Sequence, residues 1–239
     1  MTERKHHPLI EHSYLLLGDW NRWVRDPIDL LRLSYLGAAI VFAAGGNFDA
    51  GVRMALTFGI VMVARLIALP RPFDLGLVVG MMLQAWGNAL NIFENWGFYD
   101  NIVHVSLTAF AAPVFYIGLA RLDVVPDLAG ETQVRHHTGI FVITLSLALA
   151  FGAVYEVYEW AADNLLGANL AISETDTVTD LFDDAIGGVI GGALLVVWAT
   201  YGWGTVRRVR ATRLRRGLAR AAEPGEQARA QARREAAAR

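Results

Sequence analysis

The sequence predicts an all-α, polytopic transmembrane helical bundle of about six spans, with both termini cytoplasmic. Three observations carry that reading. Charged residues make up 18% of the chain and apolar ones 54%, whereas a soluble domain is about one quarter charged. Apolar runs recur at 33–45, 52–69, 75–93, 102–120, 138–157 and 185–203. Most of them approach the roughly 20 residues that cross about 30 Å of hydrocarbon as a helix. The cations then sort by side. With both ends inside, Arg4, Lys5, Arg22, Arg25, Arg32, Arg65, Arg71, Arg121, Arg135 and the eleven arginines from Arg207 to Arg239 are all cytoplasmic, and only Arg53 is outside. That is the positive-inside pattern.

Residues 1–27 form a cytoplasmic N-terminal segment in which Pro8–Asp26 reads as amphipathic and lies along the inner surface. The opening "MTERKHHPLIEHSYLLLGDW" lacks the apolar core and cleavage site of a signal peptide, so the first span is expected to act as its own targeting signal. The membrane domain covers 28–204. Its first run is short and borrows Ile28, Leu30 and Leu31 from upstream. The second is flanked by Arg53 and Arg65. The third carries Gln84, Asn88, Asn91 and Asn95, which at about 100° per residue keep to one stripe. A polar stripe on a membrane helix faces protein rather than lipid.

The fourth span starts with Asp100 and His104, one turn apart. The fifth ends in "AVYEVYEW", which sets Glu156 and Glu159 one turn apart with Tyr155 and Tyr158 as hydroxyl donors beside them. The sixth opens with "SETDTVTDLFDDAIGGVIGGALL". There Asp176, Asp180, Asp183 and Asp184 share a stripe if the helix starts early enough. Gly187, Gly188, Gly191 and Gly192 follow as two overlapping Gly-x-x-x-Gly pairs, which let helix backbones approach closely. Residues 205–239 are a basic cytoplasmic tail, read as a topology signal with a solvated end that can also meet anionic head groups. Trp20, Trp23, Trp198 and Trp203 fall near the inner interface, and Trp96 and Trp160 near the outer one.

Several classes are excluded. The chain has no cysteine, hence no disulfide and no thiolate metal site. Neither His-Glu-x-x-His nor Gly-x-Ser-x-Gly occurs. No internal repeat or matched pair of broken helices marks an inverted-repeat transporter. The basic tail is explained by the membrane beside it, so nucleic acid is not an expected partner and membrane lipids are. The glycine face can pack within or between chains, which leaves the oligomeric state open.

The outer side is acidic. Asp49, Glu94, Asp100, Glu156, Glu159, Asp163, Glu174, Asp176, Asp180, Asp183 and Asp184 face only Arg53 there. Each has a plain explanation alone: Asp176 and Asp180 as first-turn acids, with Thr177 to Asp180 as a capping box, or Asn and Gln as helix-to-helix glue. Their coincidence at one depth from three spans is harder to explain that way, since ionisable groups in a membrane are costly. The repulsion is relieved either by protons or by a bound cation. The candidate metal ligands are Asp100, His104, Glu156, Glu159, Asp180 and Asp184, an oxygen-and-nitrogen set suited to Mn²⁺, Mg²⁺, Ca²⁺ or Zn²⁺. His104 and Glu159 are the candidate catalytic acid/base residues. Asp176, Asp183, Gln84 and Asn88 complete the polar set.

"FYDNIVH", "YEVYEWAAD" and "DTVTDLFDDAIGGVIGG" resemble the motifs of the bacterial YjdF-type inner-membrane proteins. They are more distantly similar to VanZ-like membrane proteins, which share a Tyr-Asp…His, Glu and Asp…Gly arrangement. The resemblance spans roughly residues 75–200. It implies a bacterial cytoplasmic-membrane location and points to Asp100, His104, Glu156, Glu159, Asp176, Asp180, Asp184 and Gly188. Where YjdF-type proteins carry a tryptophan and a glycine ahead of these acids, this chain has "ETDTVTDLFDDAIG". The resemblance brings no established activity with it.

Three functions compete. A divalent-metal site at head-group level can act on phospholipids or lipid-linked envelope precursors; against it, no arginine or lysine except Arg53 is placed outside to grip a phosphate, so a metal would have to do that work alone. A cation- or proton-coupled transporter uses the acidic mouth and the reach of Gln84 and Asn88 towards the midplane; against it, Arg32 and Arg65 make the inner half basic and no acid continues the path. A non-catalytic protein holds a structural ion.

Overall fold

The computed structural model describes residues 27–66, 69–122, 124–126, 128, 135–166 and 173–201. The amphipathic reading of Pro8–Asp26 and the basic tail lie outside the described residues. Within them the chain is all-helical: α1 Pro27–Ala44, α2 Phe48–Leu66, α3 Arg71–Ala89, the single turn α4 Ile92–Asn95, α5 Tyr99–Arg121, α6 His136–Leu166 and α7 Glu174–Tyr201. The six long helices correspond to the six apolar runs. Four of them, α1, α5, α6 and α7, are long and apolar enough to cross a membrane. α2 and α3 fall short of that measure because Asp49, Arg53, Arg65, Asp74, Gln84 and Asn88 interrupt them.

The packing follows chain order in two groups. α5, α6 and α7 pack on one another, α3 lies against α5, and the α1–α2 hairpin covers α3. Gly46, at φ 85°, turns the chain between α1 and α2 in a conformation that favours glycine. A core around Leu77, Tyr116, Ile117, Ile140 and Leu195 joins α3, α5, α6 and α7, and one around Tyr35, Met54, Val61 and Val78 joins α1, α2 and α3. Leu30, Leu33, Ile40 and Val41 on α1, with Val52, Leu56, Ile60 and Val63 on α2, remain exposed, as apolar faces meeting lipid would.

The glycines of α7 fall into two pairs that serve different neighbours. A Cβ on Gly187 would strike Thr108 and the Val105 carbonyl of α5, and one on Gly191 would stand 2.5 Å from the Ala109 carbonyl. Pro113 on α5 leaves that carbonyl without its usual intrahelical donor, so the glycine backbone closes on a freed group. A Cβ on Gly188 would lie 2.7 Å from Ala148, and one on Gly192 2.9 Å from Phe141, both on α6. The overlapping Gly-x-x-x-Gly pairs therefore form two notches, one for each partner helix.

Two expectations are corrected. α3 ends at Ala89, and Asn91 takes a left-handed conformation at φ 54° before α4. The expected polar stripe thus breaks: Gln84 and Asn88 stay on α3, while Asn91 and Asn95 belong to the turn beyond it. Of the plain explanations for the α7 acids, the Thr177–Asp180 capping box does not hold, although Asp176 does lie in the first turn. α7 begins a turn earlier, with the Ser173 hydroxyl accepting the Asp176 backbone N–H at 3.1 Å, a serine N-cap. Asp176, Asp180, Asp183 and Asp184 consequently all stand on the helix.

At the end of the bundle away from these acids, four buried charges meet. Arg32 donates to Asp29 at 2.8 Å, pairs with Asp74 and reaches the Val61 carbonyl at 3.2 Å. Arg65 donates to both oxygens of Asp29, at 2.9 and 3.3 Å. All four are at most 4% exposed. Two acids against two arginines make a neutral group that ties α1, α2 and α3 together, and it reconciles these charges with an otherwise apolar hairpin. Removing one member leaves a buried charge without its partner, which costs about 3–5 kcal/mol. Arg32→Ala is therefore expected to lower the thermal unfolding midpoint of detergent-solubilised protein far more than the charge-free pair Arg32→Met/Asp74→Leu does; equal losses would contradict this account.

Candidate functional site

The opposite end gathers the N-termini of α5 and α7 with the C-terminal parts of α3 and α6. His104 is its centre. It is buried on α5, and its Nδ1 lies 3.1 Å from Asp184 Oδ1 of α7. Its Nε2 lies 3.7 Å from Asp100 Oδ1, one turn back on its own helix, beyond hydrogen-bond range. Asp180, also on α7 and 3% exposed, completes a group: Asp100, His104 and Asp180 each offer a donor atom, all within 4.8 Å of one another. Asp100 is half-buried and opens the group towards the end of the bundle.

The remaining expected residues surround this group in distinct ways. Glu156 is 6% exposed, and neither of its carboxylate oxygens has a hydrogen-bond partner among the described residues. Thr177 faces it from α7, and His104 and Asp184 lie in its electrostatic range. Glu159, one turn on, is half-buried at the rim, with Asp100 and His104 in range. Asp176 is exposed at the first turn of α7. Asp183 is buried and accepts a 2.5 Å hydrogen bond from the Asn101 amide. Gln84 donates to the Tyr155 hydroxyl at 2.6 Å, and the Tyr155 ring stands edge-on to His104 at 5.6 Å. Gln84 and Tyr155 thereby form the floor of the site. Asn88 is at the edge, where its Oδ1 accepts a hydrogen bond from Arg53 at 3.3 Å. Arg53 also pairs with Asp49 at 2.8 Å.

Four participants lay outside the residues singled out from sequence. Asn101 is a polar residue one position past Asp100 in "YDN", and only the helix contact makes it the partner of Asp183. Gly152 lies on α6, and a Cβ there would collide with Asp184 Oδ2; nothing in "LAFGAVYE" distinguishes it from a packing glycine. Asp29 and Asp74 were missed at the other end, because each looks like an acid at a helix start. They correct the expectation that Arg32 and Arg65 leave the inner half basic, since both arginines are paired. They do not extend a polar path, since between Asp74 and Gln84 on α3 come Leu77, Val78 and Met81, packed into the two cores.

An all-helical bundle with long apolar helices and charges confined to its ends is a multi-pass α-helical membrane protein. Residues 31–201 match the family described as Predicted membrane protein (DUF2238), and the chain belongs to that family. No curated protein and no solved structure matches it.

The Asn101–Asp183 bond offers a direct check on the α5–α7 contact. Asn101→Ala removes the donor from a buried carboxylate and is expected to cost about 1–3 kcal/mol of unfolding free energy. Asp183→Asn in the same background is expected to recover part of that loss, and additive losses in the double-mutant cycle would rule out the coupling.

Proposed function

We propose that the protein is a YjdF-type protein of the bacterial cytoplasmic membrane, with six spans and both termini inside, and that its outer end holds a divalent cation. The observation that carries the cation reading is the convergence of Asp100, His104 and Asp180 donor atoms within 4.8 Å. The buried Glu156 carboxylate, which has the Thr177 hydroxyl beside it and His104 and Asp184 in its electrostatic range, supports it. Two ligands of one ion are at most twice the metal–ligand distance apart, about 4.0–4.4 Å for Zn²⁺ or Mg²⁺ and about 4.6–5.2 Å for Ca²⁺. The observed spread is wider than the smaller ions span, so binding one of them draws the three donor atoms together. Two carboxylates with one imidazole suit Mn²⁺ or Zn²⁺ over the all-oxygen shell of Ca²⁺.

With Nδ1 turned to Asp184, Nε2 is the His104 nitrogen left for the ion. Glu156 lies on the α6 side, where it can join the ligands or accept a proton from a bound water. The substrate class that fits is a phosphate-bearing lipid or lipid-linked envelope precursor. Asp100 and Glu159 open at the rim, Trp96, Phe98, Tyr158 and Trp160 are all more than half exposed around it, and Arg53 is the only arginine or lysine at this end among the described residues. Exposed aromatic rings of this kind sit at head-group level. Transport finds less support, because the apolar layer on α3 separates the site from the opposite end.

Purified wild-type protein is expected to retain about one divalent ion per chain by elemental analysis, or to take up Mn²⁺ or Zn²⁺ when supplied, and His104→Ala and Asp180→Asn are expected to lose it. Failure of Mn²⁺, Mg²⁺, Ca²⁺ and Zn²⁺ all to bind would end the metal reading. Bound metal without phosphate release from any phospholipid or lipid-linked phosphate would reduce the ion to a structural one. Orientation has its own check, made easy by the absence of cysteine. Gly97→Cys should react with an impermeant maleimide in intact cells and Leu122→Cys only after permeabilisation, whereas the reverse pattern would invert the bundle.

A further inference from the structure

Asp184 is an outlier among the acids at this end. It is 0% exposed, one carboxylate oxygen lies 3.1 Å from His104 Nδ1, and the other has no hydrogen-bond partner among the described residues. That second oxygen lies where a Cβ on Gly152 would be. Any side chain at 152 would evict the carboxylate, so the notch in α6 is a slot sized for Asp184. α7 is held against both walls of this slot one turn further on, by Gly187 against Thr108 of α5 and by Gly188 against Ala148 of α6. Thr108 in turn donates to the His104 backbone carbonyl at 2.6 Å. The carboxylate has little freedom to swing out and become a direct ligand.

We infer that Asp184, seated in the Gly152 notch, is a positioning residue for His104: it accepts the Nδ1–H, fixes the ring's tautomer and rotation, and turns Nε2 towards Asp100 and Asp180. This rests on the reading of His104 as a metal ligand. It gives Asp184 a role different from the direct coordination expected from sequence, and it gives Gly152 a function in the site. A histidine that binds a metal through one nitrogen commonly gives its other N–H to a carboxylate, and loss of such a partner lowers metal affinity about 10–100-fold.

The test uses the full chain in lipid nanodiscs, titrated with Zn²⁺ and Mn²⁺, as wild type, Asp184→Asn and Gly152→Ala. Both variants are expected to bind about 10–100-fold more weakly than wild type. In ¹⁵N-histidine-labelled, Zn²⁺-loaded protein, the His104 signal, assigned by its loss in His104→Gln, is expected to report protonated Nδ1 and metal-bound Nε2. Asp184→Asn is expected to disturb that signature even where the thermal midpoint is unchanged. Wild-type affinity and an unaltered His104 signature in both variants would overturn the positioning role while leaving the metal site intact. A wild type that binds neither ion would overturn the metal reading, and the positioning role with it. Gly152→Ala guards against misfolding of the aspartate variant, since it keeps Asp184 in the chain and displaces the carboxylate only by filling its seat.

Discussion

The close approach of α7 to α5 and α6 is the constraint from which the polar end follows. Gly187 and Gly191 admit the α5 backbone on one face, and Gly188 and Gly192 admit α6 on the next. With ordinary side chains there, the three helices would stand apart by the width of a methyl group or more. His104 and Asp184 would then part, and the carboxylates would face solvent or lipid. In lipid, tight van der Waals packing is itself a main source of helix association. The contact that stabilises the bundle is therefore also the contact that crowds acids around one imidazole.

The two ends of the molecule answer one electrostatic problem in opposite ways. At one end Asp29, Arg32, Arg65 and Asp74 cancel charge for charge inside the α1–α2–α3 group, with each arginine fork satisfied. At the other, Asp100, Glu156, Asp180, Asp183 and Asp184 gather with one histidine among the described residues, and Arg53 is at the edge and engaged with Asp49 and Asn88. Among the described residues the quartet balances charge for charge. An acid-rich cluster in a low-dielectric bundle attracts positive charge, and the mixed donors at its centre suit a divalent ion. That asymmetry separates a structural lock from a site.

Where the two sets meet, α3 carries both: Asp74 near its start belongs to the quartet, and Gln84 near its end hydrogen-bonds the floor tyrosine. The intervening turns are packed with Leu77, Val78 and Met81, so the helix links the ends mechanically while keeping them electrically separate. Tyr35 adds to that link, with its hydroxyl donating to the Val78 carbonyl at 2.6 Å.

The sequence by itself determined the helical class, the number of long helices and the residues rich in chemistry, because hydrophobic run length and composition are local quantities. The acids at 100, 156, 180 and 184 and the imidazole at 104 were legible for the same reason: an ionisable group in an apolar run is conspicuous wherever it lies. Partnership was not legible. That Asp29 pairs with Arg65 and Asp74 with Arg32, that Asn101 serves Asp183, and that Gly152 is a seat for Asp184 all depend on residues meeting from helices 32 to 82 positions apart in the chain. The stripe of four amides on α3 failed because one residue, Asn91, adopts a left-handed turn. The start of α7 stayed open in the sequence, because Thr177 is as fit to cap a helix as Ser173, and only the backbone shows that Ser173 does so. Only tertiary packing separated the acids that pair with arginines from those gathered around the histidine, since charges separated in sequence interact through distance and burial, and neither is a property of a single residue.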